Sequence, residues 1–282
     1  IGIQSFTDAD LQFMNRAHNA AEAAVCIKNA QEAGFDNLTV DLIYGTPTLT
    51  NAQWKENLQR VFDYDIPHIS CYCLTVEPQT ALASFVAKGK VPPVDEDRAA
   101  EQFEVLMAMM RAHGYDHYEI SNFAKPDCHA RHNSNYWLGV SYLGIGPSAH
   151  SFNGYSRQWN VAHNVQYIKA LQIEKVPFEL ETLTTTQQYN EYILTALRTK
   201  WGCQLEKIKN AGCLFQVNLL SLAKHYGDAQ KKLGIKLLKS GMVDFLATDC
   251  HRMGHLDQIK KVFKDRTVRK LMAQGKFRNS EL

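Results

Sequence analysis

The sequence has no apolar run near the roughly 18 residues that a membrane span needs, and its first residues lack the charged-then-apolar layout of a signal peptide. Both absences make the cytoplasm the expected compartment. No block of five or six like charges occurs, and 31 basic against 29 acidic residues leave a formal charge of +2. Neither a nucleic acid nor membrane association is therefore indicated. Cysteine is sparse: seven residues at positions 26, 71, 73, 128, 203, 213 and 250, an odd number scattered along the chain. Such usage suits reduced thiols better than a disulfide framework. Cys71 and Cys73 share a face of an expected strand, but two thiols alone read as buried side chains rather than a metal site. What remains is ordinary for a folded protein, since 282 residues with 45% hydrophobic content suffice for one large domain or two of usual size.

In chain order, Ile1 to Phe6 reads as a strand, Thr7 or Asp8 opens a short helix, and the helix formers from Ala20 to Ala33 end at Gly34. Asn37 to Ile43 is apolar around Asp41, as a strand buried on both faces would be, and a carboxylate in that setting requires a partner or a ligand. Ala52 to Phe62 and Glu96 to His113 have helical patterns, while His68 to Leu74 and Tyr118 to Ile120 read as strands. This alternation predicts a parallel β/α sheet or barrel, whose ligands meet the C-terminal strand ends. Gln4, Asp41, Thr75, Glu77 and Glu119 lie near those ends.

The stretch from Cys128 to Phe152, CHARHNSNYWLGVSYLGIGPSAHSF, is too polar for a core element and too aromatic for an idle loop. His132, Asn133, Tyr136 and Trp137 fall within about two helical turns. Read from the residues alone, the set either holds a flat, metal-bearing ligand or is a hydrogen-bonded cap with packed aromatics.

Seven runs, IGIQSF, MNRAHN, NLTVDLIYGTP, ISCYCLTVEP, YEISNFAKP, RHNSNYW and YLGIGPSAHSF, resemble the oxygen-independent coproporphyrinogen oxidase-like radical S-adenosylmethionine proteins, and within them the heme chaperone branch. The resemblance covers residues 1 to about 208. It implies an α/β fold, a partial (β/α) TIM-like barrel of the radical S-adenosylmethionine type over 1–125. A heme or substrate segment over 126–182 and the start of a small helical domain over 183–208 follow. It also implies S-adenosylmethionine contacts at Gln4, Arg16 and Asp41, and heme contacts at His132, Asn133, Tyr136 and Trp137, with His132 as the axial ligand. The implied partners are heme and heme-accepting proteins, and porphyrin oxidation is the enzymatic alternative. The family's 4Fe-4S cluster is held by a CxxxCxxC run, and the cysteines here have no such spacing. The expectation is heme handling without radical catalysis, on an opened barrel with a bare strand edge.

From about Lys209 the chain instead resembles the C-terminal part of PHP-type capsule tyrosine-protein phosphatases, a mixed α/β segment over 209–282. A strand and turn over Phe215 to Ser221, an amphipathic helix closed by Gly241, and a strand over Val243 to Leu246 lead to Asp249 and His251. A helix carrying His255 follows. The resemblance makes Asp249 and His251 ligands of a manganese site and phosphotyrosine hydrolysis a third activity; the other ligands of that site have no counterpart. A join near Glu206 to Gly212, without a Pro, Gly or Ser linker, predicts a second piece less stable than the first.

Overall fold

The computed structural model describes residues 1–275 and 277–281 and divides into two compact units, Ile1–Gly202 and Cys203–Leu282. In the first, α1 (Asp8–Phe13) and α2 (Ala20–Glu32) precede β1 (Thr39–Tyr44), and α3 (Asn51–Asp63) leads to β2 (His68–Cys73). After α4 (Ala81–Ala87) and α5 (Glu96–Ala112), a hairpin of β3 (Asp116–His117) and β4 (Asn122–Ala124) completes a four-stranded sheet of order β1-β2-β4-β3. Only β1 and β2 run parallel; β4 is antiparallel to both its neighbours. Among the described residues no closed barrel forms, and within this sheet the expected parallel arrangement holds for one strand pair.

Two local expectations are also corrected. Ile1 to Phe6 is not a strand: Gln4 adopts φ 64° and makes a single bridge to Leu42, so the extended run is broken there. Tyr118 to Ile120 is not a strand but the connection between β3 and β4: Glu119 makes a single bridge to Thr199, while its carboxylate accepts from the Ser121 backbone N–H and the Asn122 side chain. The edge of β1 is partly covered, as Gln4 N–H donates to Asp41 O at 2.8 Å and Ile43 N–H to Gln4 O at 2.8 Å.

The core follows from alternation. Val40, Leu42 and Tyr44 of β1 are buried, and Trp54, Asn57, Leu58 and Val61 of α3 recur at helical spacing on its inner face. Each fully buried side chain such as Leu58 contributes roughly 1.5–3 kcal/mol. Gln102 of α5 fixes the end of β1: its amide accepts from Gly45 N–H at 2.8 Å and donates to Leu49 O at 3.0 Å. Gly45 has φ 79°, and a Cβ there would meet Cys73 Sγ at 3.2 Å and Ala99 at 3.3 Å.

Downstream, α6 (Arg131–Trp137) is followed by an antiparallel sheet of β5 (His150–Phe152), β6 (Ser156–Asn160) and β7 (Phe178–Thr182), with α7 (Asn164–Gln172) between the last two and α8 (Thr185–Ala196) after them. The second unit has its own core. After α9 (Leu205–Asn210), the parallel pair β8 (Phe215–Asn218) and β9 (Val243–Ala247) is linked through α10 (Leu219–Leu222) and α11 (Asp228–Lys239). Helices α12 (Met253–Val262) and α13 (Arg266–Gln274) close it around Val217, Leu220, Leu238, Ile259 and Val268.

Candidate functional site

Helix α6 carries the RHNSNYW run and has two unlike sides. Ser134 is buried, and Asn133 faces inward, donating to Tyr118 Oη at 3.3 Å and Glu119 Oε1 at 3.2 Å. Glu119 is 4% exposed, so its carboxylate depends on these amides and on Ser121 N–H for solvation. Tyr118 continues the network to His68 Nε2 at 2.8 Å, and Ser70 reaches Asn122 Oδ1 at 2.7 Å. The predicted heme residue Asn133 is thus spent on anchoring α6 to the sheet. Outward, His132 and Tyr136 are exposed. Their rings meet edge to face at 4.9 Å, and Tyr136 meets Tyr142 at 4.6 Å in the same manner. Trp137 is half-buried and stacks on no other ring among the described residues. An open imidazole beside an aromatic pair on an anchored helix suits a planar, metal-bearing ligand.

Around this anchor lies a charged group that sequence reasoning passed over. Asp116 pairs with Lys200 at 2.6 Å and with His129 Nε2 at 3.3 Å, and the Lys200 hydrogen bond holds its carboxyl below the usual carboxylate value. His129 lies 4.6 Å from the Tyr118 ring. His129 belongs to the CHARHN run, so a signal existed. His68 and Lys200 lie 132 residues apart and carried none. Burial, aided by the charge of His129, lowers the His68 imidazole to about 4.

Gln4 and Asp41 lie close together beside Gly2. A Cβ added at Gly2 would fall 2.7 Å from Gln4 Nε2 and 3.9 Å from Asp41 Oδ2, so the two side chains flank Gly2. Asp41 makes no side-chain hydrogen bond or ion pair among the described residues. Its carboxylate is left to water or a ligand, and its charge adds to burial in pushing the Cys71 thiol up. Arg16 is exposed in the loop after α1, and no contact joins its side chain to that pair. The amide and carboxylate therefore fit polar parts of S-adenosylmethionine. The thiols do not fit a 4Fe-4S cluster: all seven are free, and among the described residues no three His, Cys, Asp or Glu side chains converge on a metal position.

In the second unit, Asp249 sits just beyond β9 at φ 50°. Its Oδ2 accepts from Tyr226 Oη at 2.8 Å and from Asn218 Nδ2 at 3.2 Å, and Oδ1 lies 3.6 Å from His251 Nδ1. His255 is buried and committed to His251 N–H and the Arg252 guanidinium. The predicted metal pair is adjacent, but Asn218 and Tyr226 hydrogen-bond the carboxylate, and among the described residues no third His, Cys, Asp or Glu joins the pair. These residues do not make a manganese site by themselves.

With this geometry in view, the chain was compared with known proteins. It is 33% identical over 202 residues to the heme chaperone HemW of Bacillus subtilis, covering 71% of this chain and 53% of that protein. The HemW of Lactococcus lactis is 32% identical over 210 residues, with 74% and 55% covered. A mouse mitochondrial protein, radical S-adenosyl methionine domain-containing protein 1, is 38% identical over 150 residues, 53% of this chain and 34% of its own length. The chain thus spans about half the length of the HemW relatives it matches. The fold is similar to that of the solved coproporphyrinogen III oxidase HemN of Escherichia coli, a radical SAM enzyme, with TM-score 0.61 and 20% identity over 92% of this chain and 62% of that one. Residues 195–279 match the family model for capsular polysaccharide synthesis, CpsB/CapC.

Proposed function

We propose, for a chain similar over most of its length to HemW heme chaperones and toward its C-terminus to the CpsB/CapC family, that it binds heme on the outer face of α6 and passes it to an acceptor protein. The observation that carries this reading is the split use of α6. Asn133 fixes the helix from within, while His132 is left exposed against Tyr136 and Tyr142. His132 offers a ring nitrogen to iron, and the tyrosines offer apolar faces to the macrocycle. Heme supplies the iron centre; the chain supplies a ligand and a rigid platform. Exposure of the site suits transfer, since a group to be handed on must be reachable by its acceptor.

S-adenosylmethionine is assigned to the Gln4 and Asp41 pair, with Arg16 recruited from its loop. Without three convergent thiols the reading expects no coproporphyrinogen oxidation under anaerobic reduction. For the CpsB/CapC-like part, two side chains at Asp249 and His251 support no manganese-dependent phosphatase activity. Release of phosphate from phosphotyrosine that Asp249→Ala abolishes would reverse that judgement. The heme reading is tested by hemin titration of the chain beside His132→Ala, followed at the Soret band.

A further inference from the structure

The formal charge of +2 conceals a strong asymmetry. Residues 1–202 carry 15 Lys and Arg against 22 Asp and Glu, a net of −7, whereas residues 203–282 carry 16 against 7, a net of +9. Composition of the whole chain had argued against any anionic partner; the second unit alone argues the opposite.

The excess gathers on one surface. Lys260 to Lys270, KKVFKDRTVRK, holds six cations and a single acid. That acid, Asp265, is withdrawn: Oδ1 caps α13 by accepting from Thr267 and Val268 N–H, and Oδ2 pairs with Lys231 at 2.9 Å. Because Val268, Leu271 and Met272 turn toward the core, Arg266, Arg269 and Lys270 face out at helical spacing. With Lys264, Phe263 and Met272 they line an open depression of about 710 Å³ that no carboxylate lines. None of these four cations has an ion-pair partner among the described residues. Beside the depression, α12 and its C-cap expose a stripe of Met253, Leu256 and Phe263, which are 77%, 39% and 48% exposed, with Lys260, paired to Asp257 at 3.3 Å, among them. Its inner face is taken by His255, Ile259 and Val262.

We propose that the α12–α13 surface is a peripheral docking site for an anionic lipid bilayer. Phe263 belongs to both the stripe and the basic depression, so one approach sets apolar side chains at the acyl boundary and cations against lipid phosphates. Charge alone would equally suit a nucleic acid. The aligned Met253, Leu256 and Phe263 decide for a bilayer, because a duplex backbone has no apolar layer to cover them. This inference stands apart from heme binding and involves none of its residues.

The test is co-flotation of the full chain with vesicles of phosphatidylcholine alone and of 70:30 phosphatidylcholine to phosphatidylglycerol. Binding is expected only to the anionic vesicles, falling as salt is raised from 50 to 300 mM. The double substitution Arg269→Glu with Lys270→Glu should weaken it about tenfold or more, and Phe263→Ser several-fold with the salt dependence kept. All three positions are exposed, and far-UV circular dichroism confirms the fold of each variant. Absence of binding by the folded chain, equal binding to neutral vesicles, or full binding by the charge-reversed variant overturns the proposal. Binding of duplex DNA in place of vesicles, lost on the same charge reversal, overturns it in favour of a nucleic-acid surface.

Discussion

His68 is buried with its Nε2 2.8 Å from Tyr118 Oη, and its imidazole is lowered from an ordinary 6.5 to about 4, chiefly by burial. The unfolded chain takes up a proton at this residue near pH 6.5, whereas the folded chain resists until about pH 4. Between those values the unfolded state binds more protons, so the contribution is complete above pH 6.5 and is lost as pH falls toward 4. Urea denaturation of wild type should therefore weaken more between pH 7 and 4.5 than that of His68→Gln, which has no titrating ring; equal slopes would contradict the assignment. Asn133 belongs to the same network. Asn133→Ala removes two hydrogen bonds, one to a buried carboxylate, and should cost about 1–3 kcal/mol in urea denaturation. A cost below about 0.5 kcal/mol would mean that Asn133 does not anchor α6.

Between elements, α11 approaches α10 closely at Gly234. A Cβ at Gly234 would lie 2.9 Å from Leu222 Cδ2, and Leu222 is 1% exposed with no room to yield. Gly234→Ala gains about 1 kcal/mol of helix propensity, yet it should lower the melting temperature of the second unit because the clash outweighs that gain. A raised melting temperature would refute the packing. The same elements show what sequence made legible. Helices such as α2 and α3 lie within a residue or two of their expected bounds, since helix formers, helical spacing and a closing glycine are local signals. The breaks at Gln4 and Glu119 were not legible. One depends on a backbone conformation that glutamine seldom adopts, and the other on side chains of Asn122 and Asn133 that the fold brings to Glu119. For the site, His132 and Tyr136 could be read as a pair from their spacing, whereas the inward turn of Asn133 required knowing where the sheet lay. Antiparallel β4 escaped notice because a three-residue strand, Asn122–Ala124, is too short for its pattern to carry a direction.

The molecule as a whole is two units with separate cores and opposite charge. The first core gathers residues from Ile3 to Phe123 under a four-stranded sheet; the second rests on two strands and helices of modest length. Calorimetry should show two transitions, with the second unit melting first, and Gly234→Ala should shift only that earlier one. A single transition displaced as a whole would contradict two independent cores. On the proposed reading heme handling belongs to the first unit, which holds α6. The central claim is that α6 presents His132 to iron on an otherwise folded platform. Hemin titration of wild type and His132→Ala, each with a thermal melt, measures this directly. The account predicts saturable binding with a shifted Soret band in wild type, weakened at least about tenfold in a variant that melts at the same temperature. Equal affinity in the two folded proteins, or no binding by a wild type that melts cooperatively, would contradict it.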